Sequence, residues 1–549
     1  MRHGGKILID QLEIQGATTA FTVPGESFLA ALDGLHDSNR IRTIICRQEG
    51  GASMMAEAWG KITGEPGVCF VTRGPGAANA VSGLHVARQD STPMLALIGM
   101  PASGHEDREA FQEIEVKQVF SSLVKWVAVV RQAERIPEYV SHAMHVARSG
   151  RPGPVVLGLP EDMLASTCAA VDAKPARIAQ SRPGVADLAP LQDKLANARR
   201  PLMIVGGPGW SLAAQQATQA FADRFDLPVA SAFRYQDYFD NRHRCYVGCA
   251  GIGLEPSLAA AIKDADVLVV LGARLGEITT AGYTLVDIPD PKQFLIHIHP
   301  SPDELGSVYR PDLPIAATAL TFTEALVRLE PPAKIAWSTR RAELRAAYEQ
   351  TLKPTPLPGA VKMAQVMRTV SELLPQDGIL CNGAGNFAAF VHRYFEYKGY
   401  RTCLAPTSGS MGYGLPAAIA AKLAHPTRPV LSVQGDGDFL MTGQELATAV
   451  QYSLPVIVII ANNGMYGTIR AHQERAYPRR VVGTTLINPD FAAFARSFGA
   501  EGYTVETTAD FAPAFRAALA GSKPSLLELK LDPEALSTRT TLTAIRDGR

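Results

Sequence analysis

Two oxygen-bearing side chains at the ends of two apolar runs set the first chemical expectation. In RPVLSVQGDGDFLMTGQELATAVQYSLPVIVIIANNGMYG, Asp436 follows LSVQ, and Asn463 follows LPVIVIIA 27 residues later. The runs read as buried strands and QELATAVQY as the helix between them, a βαβ unit with a right-handed crossover. Both polar clusters then emerge at one edge of a parallel sheet, where open α/β sheets hold ligands. A carboxylate and an amide oxygen suit Mg²⁺, a hard cation that wants six oxygens and takes few of them from protein. Gly435 and Gly437 let the backbone approach phosphate oxygens, and the N–H groups of the following helix favour the same anion. Asp-Gly and Asn-Gly are each ordinary turn formers when met alone. As a pair, each directly after a buried strand and one helix apart, they read as a metal–diphosphate site.

Glu49, in TIICRQEGGASMMAEAWGKITG, is the candidate for proton chemistry. It follows an apolar strand and precedes a helix expected to begin near Gly51, so a carboxyl there is expected to be desolvated. On its own it reads as a residue complementing a helix N-terminus. Met411, in PTSGSMGYGLPAAIAA, reads on its own as core filling.

Together these segments resemble the thiamine-diphosphate-dependent enzymes over nearly the whole chain. The resemblance is nearest to the acetolactate synthase (acetohydroxyacid synthase) large subunit group and its less-characterised relatives. It implies that Asp436, Asn463 and the carbonyl of Met465 bind Mg²⁺, with Gly435, Gly437, Asp438 and Tyr466 beside the cofactor. It implies that Glu49 hydrogen-bonds the aminopyrimidine ring and promotes the imino tautomer whose nitrogen takes the thiazolium C2 proton. Met411 is then the wedge beneath a cofactor bent into a V, and Gly409 offers its carbonyl to the pyrimidine amino group. Pro24 and Gly25 in FTVPGE and Asn79 in RGPGAAN match the pyrimidine pocket. Ala384, Gly385, Asn386 and Phe387 in CNGAGNFA match the diphosphate loop, although acetolactate synthases usually carry Gln-His where this chain has Asn386-Phe387. The same loop is a partial dinucleotide fingerprint, Gly383-x-Gly385-x-x-Ala388, without the acidic residue about 20 positions on that ribose binding needs.

The implied reaction breaks or forms a C–C bond beside the carbonyl of a small 2-oxo acid, a lyase or carboligase activity. Two pyruvates giving acetolactate and CO₂ is the leading assignment, and a decarboxylase or C–C lyase for another 2-oxo acid is the alternative. A catalytically silent cofactor-binding relative is the alternative of another class, and the presence of Glu49 opposes it. Phe111 and Gln112 in EAFQEIEV match a substrate-side segment. The residues alone read there as a solvated helix with one buried aromatic. Glu161 in LPEDM stands where the acetolactate synthase group commonly has lysine. VGCAGIG departs from its usual methionine–histidine–glycine pattern near flavin. FAD is therefore possible but not supported. Arg151 in GRPGPV matches a flavin-adjacent arginine, in a segment that flavin-free relatives share.

These residues need sheets to hold them. Short β-branched runs alternate with longer amphipathic segments, the α/β signature. The resemblance implies three domains, each a mainly parallel sheet flanked by helices, as in pyruvate oxidases and decarboxylases. They are expected at 1–165 (pyrimidine-binding), 190–332 (central) and 358–535 (diphosphate- and Mg-binding). The proline-rich stretches around LEPPAK and LKPTPLPGA read as linker. The polar end, STRTTLTAIRDGR, reads as a tail or a cover for a neighbouring element.

The 53 basic and 53 acidic residues balance, which argues against a nucleic-acid surface. Seven cysteines, an odd number spread through a long chain, read as buried thiols in a reducing compartment. His243, Cys245 and Cys249 match no zinc spacing, and His297 with His299 read as structural neighbours on a strand. The start of the chain reads as a helix, not a signal peptide, and no apolar run is long enough to span a bilayer. The expectation is a cytoplasmic enzyme with no membrane partner. The resemblance further implies a homodimer or homotetramer with active sites between subunits, so that Glu49 and Asp436 serve one cofactor from different chains.

Overall fold

Three six-stranded parallel sheets carry the chain in the computed structural model, which describes residues 1–548. The first contains β1 (Thr19–Thr22), β2 (Arg42–Ile45), β3 (Gly67–Val71), β4 (Met94–Met100), β5 (Trp126–Val129) and β6 (Pro154–Pro160). The second contains β7 (Leu202–Val205), β8 (Val229–Ala232), β9 (Tyr246–Ala250), β10 (Val267–Leu271), β11 (Phe294–His299) and β12 (Leu313–Ala316). The third contains β13 (Ile379–Asn382), β14 (Cys403–Leu404), β15 (Val430–Gly435), β16 (Val456–Asn462), β17 (Glu501–Val505) and β18 (Ser525–Lys530). β4 is buried along its whole length and β16 along all but its last residue, because helices cover both faces.

The two outer sheets share one strand order. It is β2-β1-β3-β4-β6-β5 in the first and β14-β13-β15-β16-β18-β17 in the third. The middle sheet runs β9-β8-β7-β10-β11-β12, the order of the doubly wound dinucleotide-binding fold. The chain start is tied down by a two-stranded antiparallel pairing of Arg2–His3 with Thr167–Cys168.

Six helices matter for the site: α1 (Glu49–Thr63), α2 (Ser338–Thr351), α3 (Phe387–Tyr394), α4 (Gly414–Ala424), α5 (Gly467–Ala476) and α6 (Leu542–Arg546). α1 and α4 pack on one another and are almost wholly buried. Met54 and Met55 of α1 share one hydrophobic core with Ala417 and Ile419 of α4, so the first and third domains are welded along this contact. The weld also has a polar centre. Glu57, fully buried, accepts hydrogen bonds from the Tyr413 hydroxyl at 2.5 Å and the Thr92 hydroxyl at 2.6 Å, and Lys61 bridges Glu57 and Asp90.

The expected linker between the second and third domains is only partly a linker. Within it, α2 docks on the middle domain: Trp337 and Leu344 are buried, and Arg345 donates to the carbonyls of Asn241, His243 and Tyr246. The polar chain end forms α6, which covers α5 and ties Arg546 to Glu474 at 2.8 Å.

Candidate functional site

The expected site residues occupy eight connections, each leaving the C-terminal end of a strand, some in loops and some in the helical turn that follows. In the first domain Pro24 and Gly25 follow β1, Glu49 follows β2, Asn79 follows β3, and Phe111 with Gln112 follow β4. In the third domain Ala384–Phe387 follow β13, Gly409 and Met411 follow β14, Gly435 ends β15 with Asp436–Asp438 after it, and Asn463, Met465 and Tyr466 follow β16. Since the outer sheets share a strand order, the two sets of loops hold equivalent positions.

The third-domain loops enclose one cavity of about 220 Å³, and every third-domain residue expected at the cofactor lines it. Asp436 is 3% exposed, and burial raises its carboxyl pKa. Its Oδ1 accepts from the Gly437 N–H at 2.9 Å; its Oδ2 accepts from the Gly464 N–H at 2.8 Å and the Asn488 amide at 2.7 Å. Asn463 Oδ1 accepts from the Met465 N–H at 3.2 Å, and among the described residues the Met465 carbonyl has no hydrogen-bond donor. The oxygens of Asp436, Asn463 and Met465 form the hard donor set that Mg²⁺ prefers. Gly385 and Asn386 precede α3, and among the described residues their N–H groups have no acceptor. Both are available to an anion at that helix end.

Asp438 is also buried, which pushes its pKa up to about 7. Its Oδ1 accepts from the Gly412 N–H at 2.7 Å and the Ala384 N–H at 3.3 Å, joining the wedge loop to the diphosphate loop. Gly383 must be glycine: a Cβ there would fall 2.0 Å from Asp438 Oδ2.

The first-domain residues form a separate cluster, and none of them lines that cavity. α1 begins at Glu49 itself, with the Gln48 side chain capping the Gly51 N–H at 3.1 Å. Asn79 donates to Glu49 Oε2 at 2.9 Å, and a Cβ on Gly76 would lie 3.3 Å from Glu49 Oε1. Gly25 packs against Thr72 so closely that a Cβ would be 2.4 Å away. In this single chain Glu49 is half-buried, short of the desolvation expected of it.

The Phe111 segment is not the solvated helix its residues suggested. Asp107, Glu109 and Gln112 have positive φ (62°, 53° and 61°), and Phe111 is 69% exposed. Glu113 holds the loop by accepting from the Asp107 and Ala110 N–H groups, each at 2.8 Å. The Gln112 carbonyl accepts from the Gly74 N–H at 2.8 Å, tying this loop to the turn that carries Asn79. Beneath Phe111 lies Arg73, its guanidinium 5.8 Å from the ring and paired with Glu26 at 2.9 Å and Glu161 at 2.7 Å.

Sequence reasoning missed two residues here. Asn488 bridges Asp436 and Asn462; its only local signal is an Asn-Pro turn former. Glu445 of the third domain accepts from the Arg47 and Gln48 N–H groups, each at 3.0 Å, and so holds the approach to Glu49.

In the middle domain, cavities of about 480 and 400 Å³ meet at Ser91, Gly207, Pro208 and Tyr235, beside the switch between β7 and β10. Arg151 is engaged by protein there: it donates to Ser91 Oγ at 2.9 Å and the Arg88 carbonyl at 2.8 Å, and pairs with Glu304 at 3.3 Å. His297 and His299 are buried on β11, and burial lowers the pKa of both. Asp223, His243 and Cys245 come within 4.8 Å of one another. His243 Nδ1 accepts from the Cys245 N–H, so Nε2 carries the proton and donates to Asp223, leaving no imidazole lone pair for a metal.

Fold and site together define a cofactor-binding α/β enzyme whose ligand edge is built from two like-ordered sheets. Comparison with known proteins names the cofactor. Residues 2–119 match the N-terminal thiamine pyrophosphate (TPP) binding domain of the thiamine pyrophosphate enzymes, 188–326 their central domain, and 383–529 their C-terminal TPP binding domain. The acetolactate synthase large subunit of Parasynechococcus marenigrum is 31% identical over 96% of this chain and 87% of its own length. The probable acetolactate synthase large subunit of Methanocaldococcus jannaschii is 31% identical over 97% and 93%. The acetolactate synthase large subunit of Corynebacterium glutamicum is 30% identical over 94% and 84%. The chain belongs to the thiamine pyrophosphate enzyme family. Among the described residues, no helix is long and apolar enough to cross a membrane.

Proposed function

We propose that this protein uses thiamine diphosphate with Mg²⁺ to break or form a C–C bond beside the carbonyl of a 2-oxo acid. The leading assignment is the joining of two pyruvates to acetolactate with release of CO₂. One observation carries the reading: Asp436, Asn463 and the unpartnered Met465 carbonyl line a glycine-walled cavity beside the free N–H groups of Gly385 and Asn386. That donor set fits a hard cation and a diphosphate at once.

When bound, thiamine diphosphate supplies an electron sink for the pair left as CO₂ departs. The chain does the rest. Asp436, Asn463 and the Met465 carbonyl hold the cation, and Gly385 and Asn386 donate to the diphosphate. Met411, which lines the cavity, would give the cofactor's rings apolar support. Glu49, oriented by Asn79, holds a proton against the pyrimidine ring. Phe111 and Gln112 border the substrate.

Glu49 lies outside the cavity of its own chain, and exposed Ile469, Tyr477, Val482 and Ile487 lie near that cavity in sequence. Both facts support a homodimer, or a tetramer of such dimers, in which a partner's first domain supplies Glu49. FAD stays outside this proposal, because the three nitrogens of the Arg151 guanidinium already have protein partners.

The Arg73–Glu161 pair beneath Phe111 favours a second reading, a decarboxylase or C–C lyase for another 2-oxo acid, because it alters the charge pattern of the substrate edge. Incubation with pyruvate and related acids, followed by CO₂ release and acetoin after acid treatment, separates the two. Aldehyde release without acetoin overturns the acetolactate assignment.

A further inference from the structure

Arg234 belongs to the middle domain, yet its side chain ends in the third. It lies just past β8 with a left-handed φ of 66° and is 5% exposed. One terminal nitrogen donates to the Gly383 carbonyl at 2.9 Å, and the other donates to the Pro406 carbonyl. Among the described residues its Nε has no hydrogen-bond partner and no carboxylate lies within ion-pair distance of it. The Asp90 and Asp438 carboxylates attract the charge from further off, but burial is the larger effect and lowers its pKa. A guanidinium buried with no ion-paired carboxylate is unfavourable, so such a placement calls for a compensating gain.

The acceptors locate that gain. The Gly383–Ala384 peptide is held from both ends: its carbonyl accepts from Arg234 and, at 2.8 Å, from the neighbouring Asn382 amide, and its N–H reaches Asp438 at 3.3 Å. The next two N–H groups, of Gly385 and Asn386, are the unpartnered donors at the diphosphate cavity. Pro406 opens the segment that carries Gly409, whose N–H returns to the Pro406 carbonyl at 3.0 Å. The surrounding middle-domain loop is fastened to the same edge. Gln236 donates to the His392 carbonyl at 2.9 Å, and Asp237 accepts from the Thr402 and Cys403 N–H groups at 3.0 and 3.2 Å.

We propose that Arg234 is a positioning residue for the diphosphate half of the cofactor site, fixing the Gly383–Ala384 peptide from the middle domain and setting one positive charge behind the anion. The middle domain thereby governs cofactor affinity without touching the cofactor. This rests on the thiamine diphosphate reading and is independent of which 2-oxo acid is used.

The test measures cofactor binding directly, by calorimetry of cofactor-free full-length protein with thiamine diphosphate and excess Mg²⁺. Arg234→Met keeps the bulk and removes the charge and the donors; Arg234→Lys keeps the charge and one flexible donor. For Arg234→Met the expected result is a cofactor Kd raised tenfold or more, about 1.4 kcal/mol. Turnover at saturating cofactor should stay within a few-fold of wild type, and Arg234→Lys should fall between. Inorganic diphosphate used as a competitor should weaken in parallel. If Arg234→Met does not fold, Arg234→Lys decides. A wild-type Kd in the folded variants overturns the proposal, as does lost turnover with unchanged cofactor affinity. Thiamine diphosphate failing to bind the wild-type protein would overturn the cofactor reading instead.

Discussion

The Asn79 amide donates to Glu49 Oε2 at 2.9 Å and fixes the carboxylate at the first residue of α1. The other oxygen, Oε1, faces Gly76. A carboxylate held by one oxygen keeps the other for a proton it must share. Glu49→Gln keeps the size and the helix start but cannot share that proton. Turnover of 2-oxo acid should fall by roughly 10²–10⁴-fold, the usual worth of a positioned acid–base group. Calorimetric affinity for the Mg²⁺-bound cofactor should stay within a few-fold of wild type. Full turnover in the variant would remove Glu49 from the mechanism.

If each site takes Glu49 from one chain and Asp436 from the other, two dead variants should rescue one another. Glu49→Gln and Asp436→Ala are each expected to be inactive alone. Co-refolded in equal amounts, they should recover about one quarter of wild-type activity, since half the dimers are hybrids and each hybrid keeps one intact site. No recovery, with hybrids verified by differential tagging, would place both residues of each site in a single chain.

Asp436 supplies the one carboxylate of the expected cation set. Chelation followed by gel filtration should abolish turnover, and Mg²⁺ with thiamine diphosphate should restore it. Asp436→Asn should raise the Mg²⁺ concentration needed for half-activation by tenfold or more, because the cation loses its only charged protein ligand. An unchanged requirement would move the cation elsewhere.

Asp237 gives a pH signature. Burial pushes its pKa up to about 7 from the ordinary 3.8. The folded protein therefore binds this proton more tightly than the unfolded chain between those values, and stability falls as pH rises through them. Asp237→Asn can keep the bonds to the Thr402 and Cys403 N–H groups without ionising. Relative to wild type it should gain stability from pH 4 to pH 8, on the order of a few kcal/mol. Denaturant melts at both ends of that range check it; parallel curves for the two proteins would refute it.

The Tyr413 hydroxyl reaches a fully buried carboxylate across the weld between the outer domains. Tyr413→Phe leaves Glu57 one donor short. The expected loss is about 1.5–3 kcal/mol, the range for hydrogen bonds to charged groups. A double-mutant cycle with Glu57→Gln should show strong coupling, and additive effects would argue that the contact is slack.

What the sequence disclosed follows the range of the interactions involved. Asp436 and Asn463 were legible because a strand end, a glycine turn and one helix encode their positions locally. Glu445 was not, since its partners Arg47 and Gln48 lie in the other outer domain and leave no local trace. α2 was hidden by the prolines around it and by its sparse apolar face, of which only Leu344 is buried. The Phe111 loop has helix-compatible residues, but Glu113 and three left-handed positions hold it open. Glu49 is half-buried within its own chain, and the proposed dimer is the arrangement that would desolvate it further.

The eight connections at the strand ends also separate the part that holds the fold from the part that sets the chemistry. Each hangs from a strand end while the cores that stabilise the sheets lie beneath, so a loop behaves as an exchangeable cassette on a fixed chassis. For catalyst design, the two cassettes after β3 and β4, stapled together by the Gly74–Gln112 bond, form a single unit of exchange. Grafting one without the other would break the staple before it changed the chemistry.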